Sequence, residues 1–183
     1  MSDPVRETET LSLPLRVADL PGRAAVAFRL APDAAARETL AADLGIRRVR
    51  KLVFHGTLEP AGRHDLRLEG TLGATVVQDC VVSGEPVTTR IDTPVSRLFL
   101  RRMPEPDGPE AEIPEDDTLE PLGAEVDPGA VMIEALSLAL PDYPRADGAE
   151  LDDSITGAGD VDARRNPFAV LAALKPGDPD SGE

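Results

Sequence analysis

Seven cations gather in two short stretches of this chain: Arg47, Arg48, Arg50 and Lys51 in the first, and Arg97, Arg101 and Arg102 in the second. Guanidinium and ammonium groups at this density bind phosphates, and each contact releases a condensed counterion, so the chemistry on offer is salt-sensitive capture of a polyanion. If the two stretches sit on adjacent strand ends, all seven converge on one patch. A blander reading stands beside it: such charges flank strands as solvated groups and edge protectors, or are neutralised by the chain's own carboxylates. Alternation along a strand also sets Arg48 and Arg50 on the face opposite Arg47 and Lys51, which works against a single patch.

Residues that make or break covalent bonds are scarce. His55 and His64 are the only histidines, one on a strand face and one in a turn, and neither belongs to a nucleophile or metal signature. Cys80 is the single cysteine, so an intrachain disulfide and a multi-cysteine zinc site are both excluded; its position among apolar residues reads as a buried, inert thiol. The pairs Asp116-Asp117 and Asp152-Asp153 are hard-cation donors, but no loop has the alternation and closing Glu of a calcium hand, and they read as solvated carboxylates. The expectation is a protein without metal, cofactor or catalytic residues, not an enzyme.

Charge is divided sharply along the chain. Residues 1–102 hold 15 Lys and Arg against 13 Asp and Glu, and residues 103–183 hold 4 against 21, which places +2 in the first part and −17 in the second. A cationic face attracts phosphate, whereas an acidic stretch attracts or mimics something basic. Four Phe, one Tyr and no Trp leave no platform for stacking unpaired bases, so a nucleic-acid contact would be made mainly to phosphate. The polar, acidic start and the absence of an apolar run near 18 residues read as a soluble cytoplasmic protein with no membrane partner.

The elements that would carry these residues follow from periodicity. Leu11, Leu13, Leu15 and Val17 alternate, Pro21-Gly22 marks a turn, and Val26, Phe28 and Leu30 alternate again, predicting a hairpin. Pro32-Asp33 opens a helix over about 33–44 with Ala36, Leu40 and Leu44 on one face and Gly45 as its stop. Three longer strands are predicted. Residues 46–59 point Leu52, Phe54 and Leu58 one way, and residues 65–82 place Leu66, Leu68, Leu72, Ala74, Val76, Cys80 and Val82 on one face. After the turn at Ser83-Gly84-Glu85-Pro86, residues 87–99 return with Pro94 marking an edge or a bend.

Residues 103–118, with seven carboxylates and several Pro and Gly, read as a mobile acidic loop, and 142–165 as a second. Between them Asp127-Pro128 starts a helix over about 129–140, in which Val131, Ala135, Leu138 and Ala139 align beside Met132 and Leu136. A last short helix, 167–174, carries Phe168, Leu171 and Leu174, and residues 175–183 read as a disordered tail.

The order of these features, with Cys80 in the turn after the long strand, an acidic gap, the run Ile133-Glu134-Ala135-Leu136-Ser137-Leu138-Ala139-Leu140-Pro141 and a terminal Asn166-Pro167-Phe168-Ala169-Val170-Leu171, resembles the YceD-like family of bacteria and plastids. That resemblance implies a role in the accumulation and processing of large-subunit ribosomal RNA. Many relatives carry a second cysteine three residues after the first; here Ser83 stands at that spacing.

The resulting expectation is one α+β domain over 1–174: an antiparallel sheet, curled toward a barrel, covered by the 33–44 and 129–140 helices with the 167–174 helix packed against it. Two functional readings stay open. One is a non-catalytic ribosome-biogenesis factor that contacts large-subunit ribosomal RNA or a pre-ribosomal particle, with no DNA target, through Arg47, Arg48, Arg50, Lys51, Arg97, Arg101 and Arg102. The other is an acidic binding module or chaperone for a basic ribosomal protein.

Overall fold

The computed structural model describes residues 5–20, 24–103 and 118–150. The Pro21-Gly22 turn, nearly all of the first acidic loop, most of the second, the 167–174 helix and the tail lie outside these residues. The chain divides into two compact units, Met1–Asp147 and Gly148–Glu183. The architecture that follows is that of the first.

The unit is α+β. Three long strands dominate it: β4 (Arg48–Ala61), β5 (Asp65–Asp79) and β6 (Pro86–Leu100) form a continuous antiparallel meander. β1 (Arg6–Thr8), β3 (Val26–Leu30) and β7 (Leu119–Pro121) complete a six-stranded sheet in the order β1-β3-β4-β5-β6-β7. β1 runs parallel to β3 and β7 parallel to β6, so the sheet is mixed and not purely antiparallel. It is also open: β1 and β7 are its two edges, and the expected curl does not close into a barrel.

The expected hairpin at the beginning of the chain does not form. β2 (Leu15–Arg16) pairs antiparallel with β8 (Glu125–Val126) in a separate two-stranded sheet, and β3 pairs with β4. Asp127 accounts for the rerouting. Its Oδ1 accepts from the Leu13 and Gly129 backbone N–H groups at 2.8 and 2.7 Å, and its Oδ2 accepts from the Ser12 hydroxyl at 2.6 Å. One carboxylate therefore caps α2 (Pro128–Ala139) and fastens the N-terminal segment across it. Only glycine fits at position 129, because a Cβ there would lie 2.1 Å from the Leu11 carbonyl oxygen.

α1 (Ala34–Asp43) starts as the sequence predicts, with the Asp33 side chain accepting from the Ala36 N–H at 2.8 Å. It ends at Gly45, whose φ of 64° suits the residue that terminates a helix. α1 packs on β4, and α2 packs on β5 and β6. The apolar face of the sheet beneath them is Val26, Phe28 and Leu30 from β3, Leu52, Phe54 and Leu58 from β4, and Leu68, Leu72, Ala74 and Val76 from β5. Phe28 and Phe54 meet with ring centroids 5.2 Å apart, and the Phe54 ring lies over Gly70, where a Cβ would be 2.8 Å from it. Met132 and Leu136 are the fully buried anchors of α2, while Leu138, expected on its apolar line, is 74% exposed. β5 stops at Asp79, three residues before its predicted end, and β6 has β5 on one side with β7 on the other only at Leu98–Leu100. Pro94 therefore sits on an edge, as a residue without an N–H requires.

Candidate nucleic-acid interface

The solvent face of the sheet is built from the residues between the core positions. Its register runs Arg48↔Val77↔Thr88, Lys51↔Thr75↔Arg90 and His55↔Thr71↔Pro94, across three strands. The face carries charge and hydroxyl groups and, at His55, one exposed imidazole, but no Phe, Tyr or Trp at these register positions, so phosphate contact is the main nucleic-acid chemistry on offer.

A β-bulge decides which cations reach it. The β4–β5 pairing steps from Val49↔Val76 to Lys51↔Thr75, leaving Arg50 as the extra residue. Val49 and Leu52 are consequently both buried although they are three apart, and Arg48, Arg50 and Lys51 are all exposed. The alternation that separated Arg48 and Arg50 from Lys51 is thus cancelled by one inserted residue. The apolar pair at an odd spacing was the visible sign of it.

Arg47, Arg48, Arg50 and Lys51 do not, however, meet Arg97, Arg101 and Arg102. In an antiparallel meander the start of β4 lies beside the end of β5 and the start of β6, whereas the end of β6 lies beside the start of β5. The path along β4 from Arg48 to Ala61 covers roughly 40 Å at about 3.3 Å per residue. The seven-cation patch is corrected to two separate ends.

Arg97 leaves the set altogether. It pairs with Leu68 and so shares the apolar face with Val95 and Phe99. Its guanidinium, 12% exposed, is held by Glu120 of β7 at 3.2 Å and Glu134 of α2 at 3.0 Å. That ion pair clamps the edge strand and the helix to β6, and a guanidinium so engaged cannot serve an outside phosphate.

Other arginines are also matched within the fold. Arg16 bonds Glu125, Arg29 bonds Glu7, Arg47 bonds Asp79 at 2.8 Å, Arg67 bonds Glu69, and Arg90 forks onto Asp92. The Arg90 fork holds the Asp92 carboxyl below the usual carboxylate range and raises the guanidinium in turn. Among the described residues, no carboxylate forms an ion pair with Arg48, Arg50 or Lys51 at one end, or with Arg63, Arg101 or Arg102 at the other. Arg63 and His64, in the β4–β5 turn, join Asp65, Arg101 and Arg102 in lining a groove of about 580 Å³. Sequence reading placed His64 in that turn but missed the grouping, because only the hairpin brings residue 63 beside residue 101.

Cys80 lies in the β5–β6 turn and is buried, as expected. Its Sγ accepts from the Ser83 and Val82 N–H groups at 3.4 Å and from the Ala146 N–H at 3.3 Å. The Ser83 side chain, then the Ala146 and Ser83 amides, draw the thiol pKa down to about 6 against the opposing pull of burial. No group of three or more metal-binding side chains occurs among the described residues. No helix among them is long and apolar enough to cross a membrane.

No curated protein and no solved structure matches the chain. A family model described as "Large ribosomal RNA subunit accumulation protein YceD" matches residues 68–175, from within β5 through β6, the Arg97 clamp and α2, and leaves β1 to β4 outside it. That span exceeds half of the chain, and with it the chain belongs to the YceD family.

Proposed function

We propose that this protein is a non-catalytic, cytoplasmic factor that supports accumulation of large-subunit ribosomal RNA by binding RNA directly, with Arg48, Arg50 and Lys51 as its principal phosphate contacts. The family description links the chain to the RNA. The observation that carries the direct-contact reading is the segregation of cations: Arg16, Arg29, Arg47, Arg67, Arg90 and Arg97 are paired with internal carboxylates, whereas the bulge delivers Arg48, Arg50 and Lys51, which are not, to one end of an open sheet face. A surface of this composition attracts the phosphate chain without reading bases.

The excess of carboxylates in residues 103–183 favours a second reading, capture of a basic ribosomal protein. A gel-shift assay separates the two. Full-length protein is titrated into a large-subunit RNA fragment and, in parallel, into a purified basic ribosomal protein, with wild type beside R48Q/R50Q/K51Q. Direct RNA binding predicts a shift of the RNA that the triple variant weakens. A complex with the basic protein alone, unaffected by the substitutions, would replace this reading with the chaperone one.

A further inference from the structure

We infer that the groove at the far tip of the β4–β5 hairpin is a second RNA phosphate site, so that one chain holds two RNA segments at once. The inference rests on the RNA-binding reading above and extends it to residues which that reading does not use.

The groove is assembled by two elements. Gly62, with φ at 81°, turns the chain tightly and places Arg63 and His64 at the tip; Arg101 and Arg102 leave the end of β6 alongside. Asp65 ties them together, its Oδ1 accepting from the Arg101 backbone N–H at 3.0 Å. The one carboxylate in the lining is therefore engaged in fastening the groove. Arg63, Arg101 and Arg102 are exposed, and none has a carboxylate within ion-pair distance among the described residues. Planar guanidinium groups lining an open concavity of about 580 Å³ suit phosphate oxygens in charge and in bonding geometry.

The ligand class follows from repetition. Unmatched cations occur at both ends of one stiff hairpin, roughly 40 Å apart along the strand at about 3.3 Å per residue. A short acidic peptide would occupy one end. A polymer bearing a charge at every residue engages both, and large-subunit RNA is the polyanion to which the family is linked.

The test counts RNA molecules per chain. Full-length wild type, R48Q/R50Q/K51Q and R63Q/R101Q/R102Q, each checked for a native circular-dichroism melt, are titrated under stoichiometric conditions with a 12-nucleotide single-stranded fragment of large-subunit RNA. Two fragments per wild-type chain and one per chain for either variant is the expected result. With an RNA long enough to reach both ends, the salt slope of the R63Q/R101Q/R102Q variant should also fall in magnitude by about 2, at about 0.7 for each phosphate that the variant no longer neutralises. One fragment per wild-type chain, with R63Q/R101Q/R102Q binding unchanged, overturns the second site and leaves the first standing. Binding of poly-glutamate at the groove with no second RNA likewise overturns it, and failure of wild type to bind any RNA removes both readings.

Discussion

Arg97 and Arg50 are the same side chain on strands of one sheet, yet they do opposite work. Arg97 points toward the helices, where Glu120 and Glu134 consume its charge in holding β7 and α2. Arg50 is pushed out by a bulge on an open face, where no described carboxylate meets it. The residue type is silent about this difference. Parity along the strand and the identity of the nearest carboxylates settle it, and a cluster in sequence is a cluster in space only if the pairing says so.

Substitutions at each kind of site put this contrast at risk. The greatest change is expected at the open end: R48Q/R50Q/K51Q should weaken RNA binding about 100-fold near 0.1 M salt, at about 0.7 log units of salt slope for each of three contacts, with an unchanged melting temperature. Arg97→Ala should do the reverse. It strands two carboxylates and should cost about 2 kcal/mol in a urea melt, between the values for exposed and buried pairs, while RNA affinity holds. A loss of affinity with intact stability would place Arg97 among the ligand contacts and collapse the distinction.

Asp127→Ala should cost about 1–2 kcal/mol, as a helix cap that also carries the Ser12 and Leu13 hydrogen bonds, again without touching RNA affinity. The change at Cys80 is set by pH. Its thiol pKa is lowered in the fold, so the stabilisation it contributes is complete above the ordinary thiol value of 9.0 and is lost as pH falls through about 6. Thiolate absorbance should titrate near pH 6 in the folded protein and near the ordinary value in urea. The melting temperature of wild type relative to Cys80→Ala should rise between those limits, and a flat difference would contradict the thiolate.

What the sequence made legible was local. The even-numbered apolar set from Leu66 to Val76 defined β5, and Asp33 with Gly45 bracketed α1, because both signals depend on near neighbours. Partners were not legible. Leu15 and Arg16 alternate as a hairpin strand would, but they pair with Val126 and Glu125 because Asp127 holds the adjoining segment, and no local pattern encodes a contact across more than 100 residues. The placement of Arg97 could have been read, since it shares parity with Val95 and Phe99 on the core face. The Arg63–Arg101 groove could not, because it depends on the register of a long meander and not on any motif.

If unmatched cations at the two hairpin ends bind ribosomal RNA through its phosphates, the binding must weaken with salt in proportion to their number. The decisive experiment is a salt titration of full-length protein with a single-stranded large-subunit fragment long enough to reach both ends. Six such contacts predict a slope of about −4 in a plot of log affinity against log salt, at about 0.7 per contact. A slope near zero, or no association in dilute salt, refutes phosphate capture by these residues.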